Sequence, residues 1–125
     1  MRDSKIKDLR PEIEGIDDTS SLPRESFQNR TLRPILKLQH PLTSALLDTN
    51  AHFAKHIPHP SSLTLDQYTK EVTKFISTNK EIRTQILGVI IGMMTLEEYR
   101  EYAEHKSEYN KRIISMQLKR YLDSY

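Results

Sequence analysis

The most apolar stretch of this 125-residue chain is Asn79-Lys-Glu-Ile-Arg-Thr-Gln-Ile-Leu-Gly-Val-Ile-Ile-Gly-Met-Met94. A helix that is apolar on nearly every side must be covered on most of them, so this stretch predicts the central buried helix of the fold. Thr84, Gly88 and Gly92 recur at four-residue intervals as a stripe of small residues. We expect this stripe to let a second backbone approach closely, either a helix of the same chain or one of a second copy.

The composition indicates one soluble domain of ordinary size. A chain of 125 residues can bury a real hydrophobic core, and a net charge of +2 is too small to imply a polyanionic partner. The absence of Cys excludes disulfides and thiolate chemistry. The longest apolar run, Ile86–Met94, is about half of the ~20 residues that span a bilayer. Because charged residues follow Met1, we expect a cytoplasmic protein without membrane insertion.

Two capping boxes mark the starts of predicted helices. Thr64 is followed by Gln67, and Thr95 by Glu98, at the spacing that lets each side chain bond the backbone of the other residue. The helix that starts at Thr95 contains neither Gly nor Pro. We therefore expect it to run unbroken to about Leu122, a length of roughly 40 Å.

Two prolines interrupt the apolar pattern that precedes these helices. Pro34 disfavours a helical Arg33, which predicts a break and a new helix with Pro34 in its first turn. Pro41 leaves the carbonyl of Lys37 without a partner and so predicts a kink. The whole pattern predicts an all-α fold, an irregular bundle of four to five helices over residues 22–31, 34–56, 64–77, 79–94 and 95–122.

Residues 1–22 show no persistent helical or alternating pattern. They combine scattered apolar residues with many charges, Pro11 and Gly15. So few apolar groups cannot offset the entropy lost on ordering twenty residues. We predict a flexible N-terminal arm over 1–22, or an arm laid extended across the helices, and a single helical domain over 23–125.

The C-terminal third of the last helix carries more apolar side chains than one buried face can hold. Leu118, Tyr121, Leu122 and Tyr125 point partly off its main stripe, so we expect an interface here with the arm or with another subunit. The predicted core consists of apolar residues at three- and four-residue spacing. It comprises Phe27, Ile35, Leu38, Leu42, Leu46, Phe53, Leu65, Tyr68, Val72, Phe75, Ile86, Leu87, Val89, Ile90, Met93, Tyr99, Tyr102, Ile113 and Met116.

Five residues suggest a metal site. His52 and His56 are one helical turn apart, and Glu101, His105 and Glu108 repeat this spacing on the last helix with carboxylates added. If the two helices are neighbours, the five side chains converge on one ion in the manner of sites in helical bundles. The alternative is that these are surface histidines and the ordinary acidic first half of a helix, which the helix dipole favours without any ligand.

A second cluster of polar residues is basic. Arg30, Arg33 and Lys37 lie on roughly one face beside a helix start, where they could bind a carboxylate or a phosphate. The alternative is that they pair with Glu25, with the acidic arm or with the last helix. The basic residues near the C-terminus lie among acidic ones and match no recognition motif, so we expect no nucleic-acid partner.

No motif in this chain names a reaction, because it has no Cys, no Gly-x-Ser-x-Gly, no phosphate loop and no nucleotide fingerprint. Two hypotheses follow from the residues. The first is a non-enzymatic interaction or scaffold protein that self-associates or binds a partner through its C-terminal helix. The second is a metal-binding helical protein, or a metal-dependent enzyme of oxygen or hydrolytic chemistry, that uses the five His and Glu residues.

Three segments resemble those of a small family of uncharacterised bacterial proteins of about this length. They are Phe27-Gln-Asn-Arg-Thr-Leu-Arg-Pro-Ile-Leu-Lys-Leu-Gln-His40, Ile86-Leu-Gly-Val-Ile-Ile-Gly-Met-Met-Thr95 and Glu108-Tyr-Asn-Lys-Arg-Ile-Ile-Ser-Met116. The resemblance implies a compact all-α bacterial protein. Some members carry the automatic label "glyoxalase". True glyoxalase I proteins place their metal site on strands, and no segment here is typical of a strand, so neither that activity nor any site residue is transferred.

Overall fold

A computed structural model describes residues 1–13, 23–57 and 62–124 of the chain. Helices dominate these ranges and no strand occurs in them, which confirms the all-α prediction. None of the helices in the same ranges is long and apolar enough to cross a membrane. The helices are α1 (Arg2–Leu9), α2 (Pro23–Phe27), α3 (Arg33–Asp48), α4 (Ala51–His56), α5 (Leu65–Thr78), α6 (Lys80–Ile91), α7 (Leu96–Glu104) and α8 (Lys106–Asp123), and a π-helical turn (Gln28–Leu32) joins α2 to α3.

The chain stays helical from Pro23 to Asp48, so the break predicted at Arg33 is absent. Arg33 has helical backbone angles (φ −63°, ψ −45°) although Pro34 follows it. We attribute this to the π-helical turn, which widens the helix just before the proline ring that would otherwise press on the preceding turn. Pro41 lies inside α3 without ending it, and the kink that it predicts stays a prediction.

The helix predicted over residues 34–56 is in fact two helices. Asn50 caps the start of α4, where its side-chain oxygen accepts a hydrogen bond from the Phe53 N–H at 3.0 Å. The hydroxyl of Thr49 donates to the carbonyl of Ala45 at 2.7 Å. Thr and Asn side chains compete with helical hydrogen bonds for backbone partners. This pair of residues therefore ends a helix that the apolar spacing alone would continue.

Both predicted capping boxes are present. The Thr64 hydroxyl accepts from the Gln67 N–H at 3.2 Å, and the Gln67 side chain accepts from the Thr64 N–H at 2.9 Å. Thr95 and Glu98 make the same exchange at 3.2 and 2.8 Å at the start of α7. Asn79 caps α6 in a similar way. The starts of α5, α6 and α7 are thus fixed by side chains within four residues of each start.

The long C-terminal helix predicted to reach about Leu122 breaks at His105, whose backbone is not helical (φ −136°, ψ 46°). The rings of Tyr102 and Tyr109 lie 6.4 Å apart across this break. On a straight helix, the backbones of residues seven positions apart are separated by about 10 Å along the helix axis. The hydroxyl of Tyr102 also donates to the side chain of Asn110 across the break. The break therefore brings both aromatic rings into one core.

The core consists of two clusters of buried side chains, and α6 contributes to both. Ile90 belongs to the cluster around α2, the π-helical turn and α3, and Ile86 to the cluster around α4, α5 and the end of α8. This placement agrees with the central position expected for the most apolar stretch. The first cluster contains Phe27, Leu32, Ile35, Leu36, Ile90, Met94, Tyr102, Tyr109 and Ile113; the second contains Leu47, Phe53, Tyr68, Val72, Phe75, Ile76, Ile82, Ile86 and Tyr121.

Helix α3 buries only part of the face that the spacing predicts: Ile35 is buried and Leu46 packs against the second cluster. Leu42 is 49% exposed, whereas Leu36, Thr43 and Leu47 are buried. The Thr43 hydroxyl donates to the carbonyl of His40 at 3.2 Å, so its burial leaves no polar group unsatisfied. Leucines surround much of α3, and the spacing therefore allowed two neighbouring faces. Two further residues of the predicted core, Leu65 and Tyr99, are 64% and 40% exposed.

The stripe of small residues on α6 is open to solvent in the described structure. Thr84, Gly88 and Gly92 are all exposed, and a Cβ atom at Gly88 would meet nothing within 4 Å among the described residues. The expectation that a helix of the same chain packs on this stripe is therefore wrong for those residues. Contact with a second copy at this stripe stays a prediction.

The substitution Gly88→Ala should raise the free energy of unfolding by about 0.5–1 kcal/mol, because Ala loses less backbone entropy than Gly inside a helix and has open space here. Urea unfolding followed by circular dichroism measures the difference. Gly92→Ala is the matched control, because its Cβ would lie 3.1 Å from the Gly88 carbonyl oxygen. A loss of stability in Gly88→Ala would show that something packs on this face.

The first thirteen residues do not form the flexible arm predicted for 1–22. Residues Arg2–Leu9 form α1, and Ile6 is buried against the rest of the protein. Residues 14–22 lie outside the described residues. An eight-residue helix is marginal by itself in water. The contacts of α1 with the other helices therefore account for its structure.

Two charged side chains attach α1 to the junction between α6 and α7. Arg2 donates hydrogen bonds to the carbonyls of Gly92 at 3.0 Å and Met94 at 3.1 Å, at the C-terminal end of α6. The carboxylate of Asp3 accepts from the Leu96 N–H, at the start of α7, at 3.2 Å. Free carbonyls at a helix end attract cations, and free N–H groups at a helix start attract anions.

A buried ion pair, the Arg10–Glu98 clamp, holds the same segment. Both side chains are 8% exposed, and the guanidinium bonds the two carboxylate oxygens at 2.5 and 2.7 Å. Thr31 and the Thr95 N–H also donate to this carboxylate, and Arg10 donates to the Met93 carbonyl. Burial by itself raises the pKa of Glu98, but the guanidinium, the amide and the hydroxyl outweigh it and lower that pKa to about 2.

Candidate interaction surface

An open groove of about 460 Å³ runs between α5 and α8. On each helix, the residues that line it form a stripe next to the buried face and repeat at three- and four-residue spacing. Leu65 at the start of α5 is 64% exposed, and Leu118 and Leu122 are half-buried. The lining of this α5–α8 groove consists of Leu65, Thr69 and Thr73 from α5 and Ser115, Leu118, Lys119, Leu122 and Asp123 from α8.

Two of the four residues predicted as an interface face this groove. Leu118 and Leu122 line it, whereas Tyr121 is only 1% exposed and belongs to the core. The Tyr121 hydroxyl donates to the Asp48 carboxylate at 2.7 Å, which explains why a tyrosine is buried here. Tyr125 lies outside the described residues. The apolar surplus on α8 is therefore smaller than the sequence suggested, but Leu65 of α5 extends it.

The five predicted metal ligands are not brought together. His52 and His56 line one cavity, of about 400 Å³, together with Glu71. Glu101, His105 and Glu108 line another cavity, beside α2. Across residues 1–13, 23–57 and 62–124, no group of three or more His, Asp or Glu side chains is positioned to hold a metal ion. The two sets therefore lie on different cavities, one lined by α4 and the other by residues on both sides of the α7–α8 break.

Arginines pair with two of the carboxylates that line the cavity beside α2. Arg24 pairs with Glu108 at 2.8 Å, and one of its nitrogens lies 3.4 Å from the His105 Nδ1 atom. Arg30 bonds both oxygens of Glu101 at 2.8 and 3.0 Å. Surface ion pairs of this kind contribute little to stability, but they satisfy these carboxylates without a metal. Glu101 and Glu108 therefore each have an arginine partner among the described residues.

Two of the three residues of the predicted anion site have partners within the chain. Arg30 is engaged by Glu101 and lies 5.7 Å from the centre of the Phe27 ring. The Lys37 ammonium donates to the Glu12 carbonyl at 3.1 Å, within the N-terminal segment. Arg33 is exposed. Two of the three cations thus contact the last helical region and the N-terminal segment, which were the alternative partners considered from the sequence.

Comparisons with known proteins do not assign a function, so the assignment rests on the surfaces described above. No family model, no curated protein and no solved structure matches the chain. The resemblance to a bacterial helical family therefore stays a prediction. Among the described surfaces, the α5–α8 groove combines the exposed Leu65 and two half-buried leucines with two charges that form no ion pair with a described residue, and it is the candidate that the geometry supports best.

Proposed function

We propose that this protein is a helical interaction protein whose partner binds in the α5–α8 groove. The observation that carries the proposal is the exposed side chain of Leu65 beside the half-buried side chains of Leu118 and Leu122. Apolar side chains gain about 25 cal/mol for each Å² removed from water, so a helix laid in this groove would gain from covering them. Thr69 and Thr73 are short, which leaves the groove open to such a helix.

Site-specific photocrosslinking in the producing cell tests this function. We expect p-benzoylphenylalanine in place of Leu65 to give a discrete crosslinked product. The mass of this product identifies the protein that binds in the groove. The same residue in place of Leu42 is the control, because Leu42 is an exposed leucine on α3 outside the groove. A second substitution, Ser115→Arg, should remove the product by filling the groove with a charged side chain. Equal products from both positions would contradict the proposal.

A second candidate function is metal binding by His52 and His56 alone. Their rings are nearly parallel (5°), with centres 6.3 Å apart, and both line one cavity with Glu71. Two imidazoles one turn apart suit a transition-metal ion such as Ni²⁺, Cu²⁺ or Zn²⁺, with water completing the coordination.

Calorimetric titration with Ni²⁺ at neutral pH tests the histidine pair. We expect one ion per chain in the wild type and a loss of binding in His56→Ala, because one imidazole cannot chelate. His105→Ala is the control, since His105 lines a different cavity. Binding that is equal in the two variants would contradict this second function.

A further inference from the structure

We infer that the partner in the α5–α8 groove is a second copy of this chain, with the two α8 helices antiparallel about a twofold axis. The inference rests on the proposed function, since it names the partner of the same groove. It is carried by the charges beside the apolar lining. Lys119 and Asp123 both line the groove, one helical turn apart, and both are exposed.

These two charges are available to a partner. Neither Lys119 nor Asp123 takes part in an ion pair with another described residue. They alternate with the apolar pair Leu118 and Leu122 along α8. The groove edge therefore carries one positive charge, one negative charge and two leucines within about two helical turns.

A twofold axis through this stretch of α8 makes the surface complementary to itself. Antiparallel α8 helices then place Lys119 of each copy against Asp123 of the other, and Leu118 of each copy against Leu122 of the other. Every contact occurs twice, which doubles its contribution to association. A parallel arrangement would instead set Lys119 against Lys119 and Asp123 against Asp123, so the charges select the antiparallel one.

The α5 side of the groove is compatible with this arrangement. Thr69 and Thr73 are uncharged and short, so they neither repel the charges of the second copy nor fill the groove. Leu65 lies at the open end of α5 and adds exposed apolar surface next to α8. The interface thus has an apolar centre and a charged edge, as protein interfaces commonly have.

Sedimentation equilibrium of the untagged full chain, at low and at physiological salt, tests the inference. We expect the wild type to form a dimer, with twice the 14.7 kDa mass of one chain. Lys119→Asp and Asp123→Lys should each weaken this dimer by at least about tenfold, because each single reversal sets like charges against one another twice. An equimolar mixture of the two variants should associate again, since each copy then supplies the charges that the other needs.

The recovery in the mixture is the decisive result, because no other partner and no general loss of folding produces it. Circular dichroism of each variant, with the exposed reversal Lys80→Asp as control, checks that the helices are intact. The inference is overturned if the wild type stays monomeric, or if neither charge reversal weakens the dimer. In either case a crosslink from position 65 to a different protein would leave the proposed function standing, so the two failures are distinguishable.

Discussion

Replacing Arg10 by Met should lower the free energy of unfolding by about 3–5 kcal/mol, an effect as large as that of a major core truncation. Arg10 is 8% exposed, and its guanidinium bonds both oxygens of the equally buried Glu98 carboxylate. Without it, the carboxylate stays buried with only the Thr31 and Thr95 donors. Urea unfolding at neutral pH, followed by circular dichroism, measures the loss.

Two further variants separate the ion pair from the rest of the segment. Lys7→Met changes an exposed charge of α1 and should alter stability by no more than about 0.5 kcal/mol. The double variant Arg10→Met with Glu98→Met should recover much of the loss, because no unpaired charge is then buried. If Arg10→Met lowers the free energy of unfolding by less than about 1 kcal/mol, the Arg10–Glu98 ion pair does not form a buried clamp in solution.

The second large effect is on acid stability. The free energy of unfolding should decrease by about 3 kcal/mol as the pH falls from about 4.5 to about 2. A difference of one unit between the folded and unfolded pKa corresponds to about 1.4 kcal/mol. The pKa of Glu98 is lower in the folded protein than in the unfolded chain. The folded state therefore binds fewer protons in this range, so its stability is complete above the unfolded pKa and is lost toward the folded pKa.

The variant Glu98→Gln isolates this contribution. The amide that replaces the carboxyl group cannot titrate, so the decrease between pH 4.5 and pH 2 should be smaller by about 3 kcal/mol than in the wild type, although the variant is less stable at neutral pH. Glu97→Gln is the matched control, because Glu97 is the exposed neighbouring glutamate. Parallel pH profiles for the wild type and Glu98→Gln would contradict the assignment.

Features that depend on neighbouring residues could be predicted from the sequence. The capping boxes at Thr64 and Thr95 are present because both partners lie within one turn, where the spacing decides the contact. The central position of α6 follows from composition alone. The break at His105 cannot be predicted from the usual signals, Gly and Pro, because neither is present here. It accompanies the packing of Tyr102 and Tyr109 in one core cluster, which the sequence does not signal.

Features that depend on residues far apart in the chain could not be predicted from the sequence. Glu98 was recognised as a capping residue, but nothing in its surroundings indicates that Arg10 would bond it from the other end of the chain. The same limit applies to the groove. Leu65 fits a core stripe by spacing, but its side chain lines the α5–α8 groove and is exposed. Tyr121 shows the converse, because its ring is buried while its hydroxyl donates to the carboxylate of the exposed Asp48.

The clamp also sets an order of events during synthesis. Arg10 and Glu98 are 88 positions apart, and a ribosome that adds about 5–20 residues per second needs roughly 4–18 s to pass from one to the other. During that interval the N-terminal residues have left the ribosome before their docking site exists. The segment that is made first is therefore among the last to take its final position, and a nascent chain halted before α7 would keep residues 1–13 undocked.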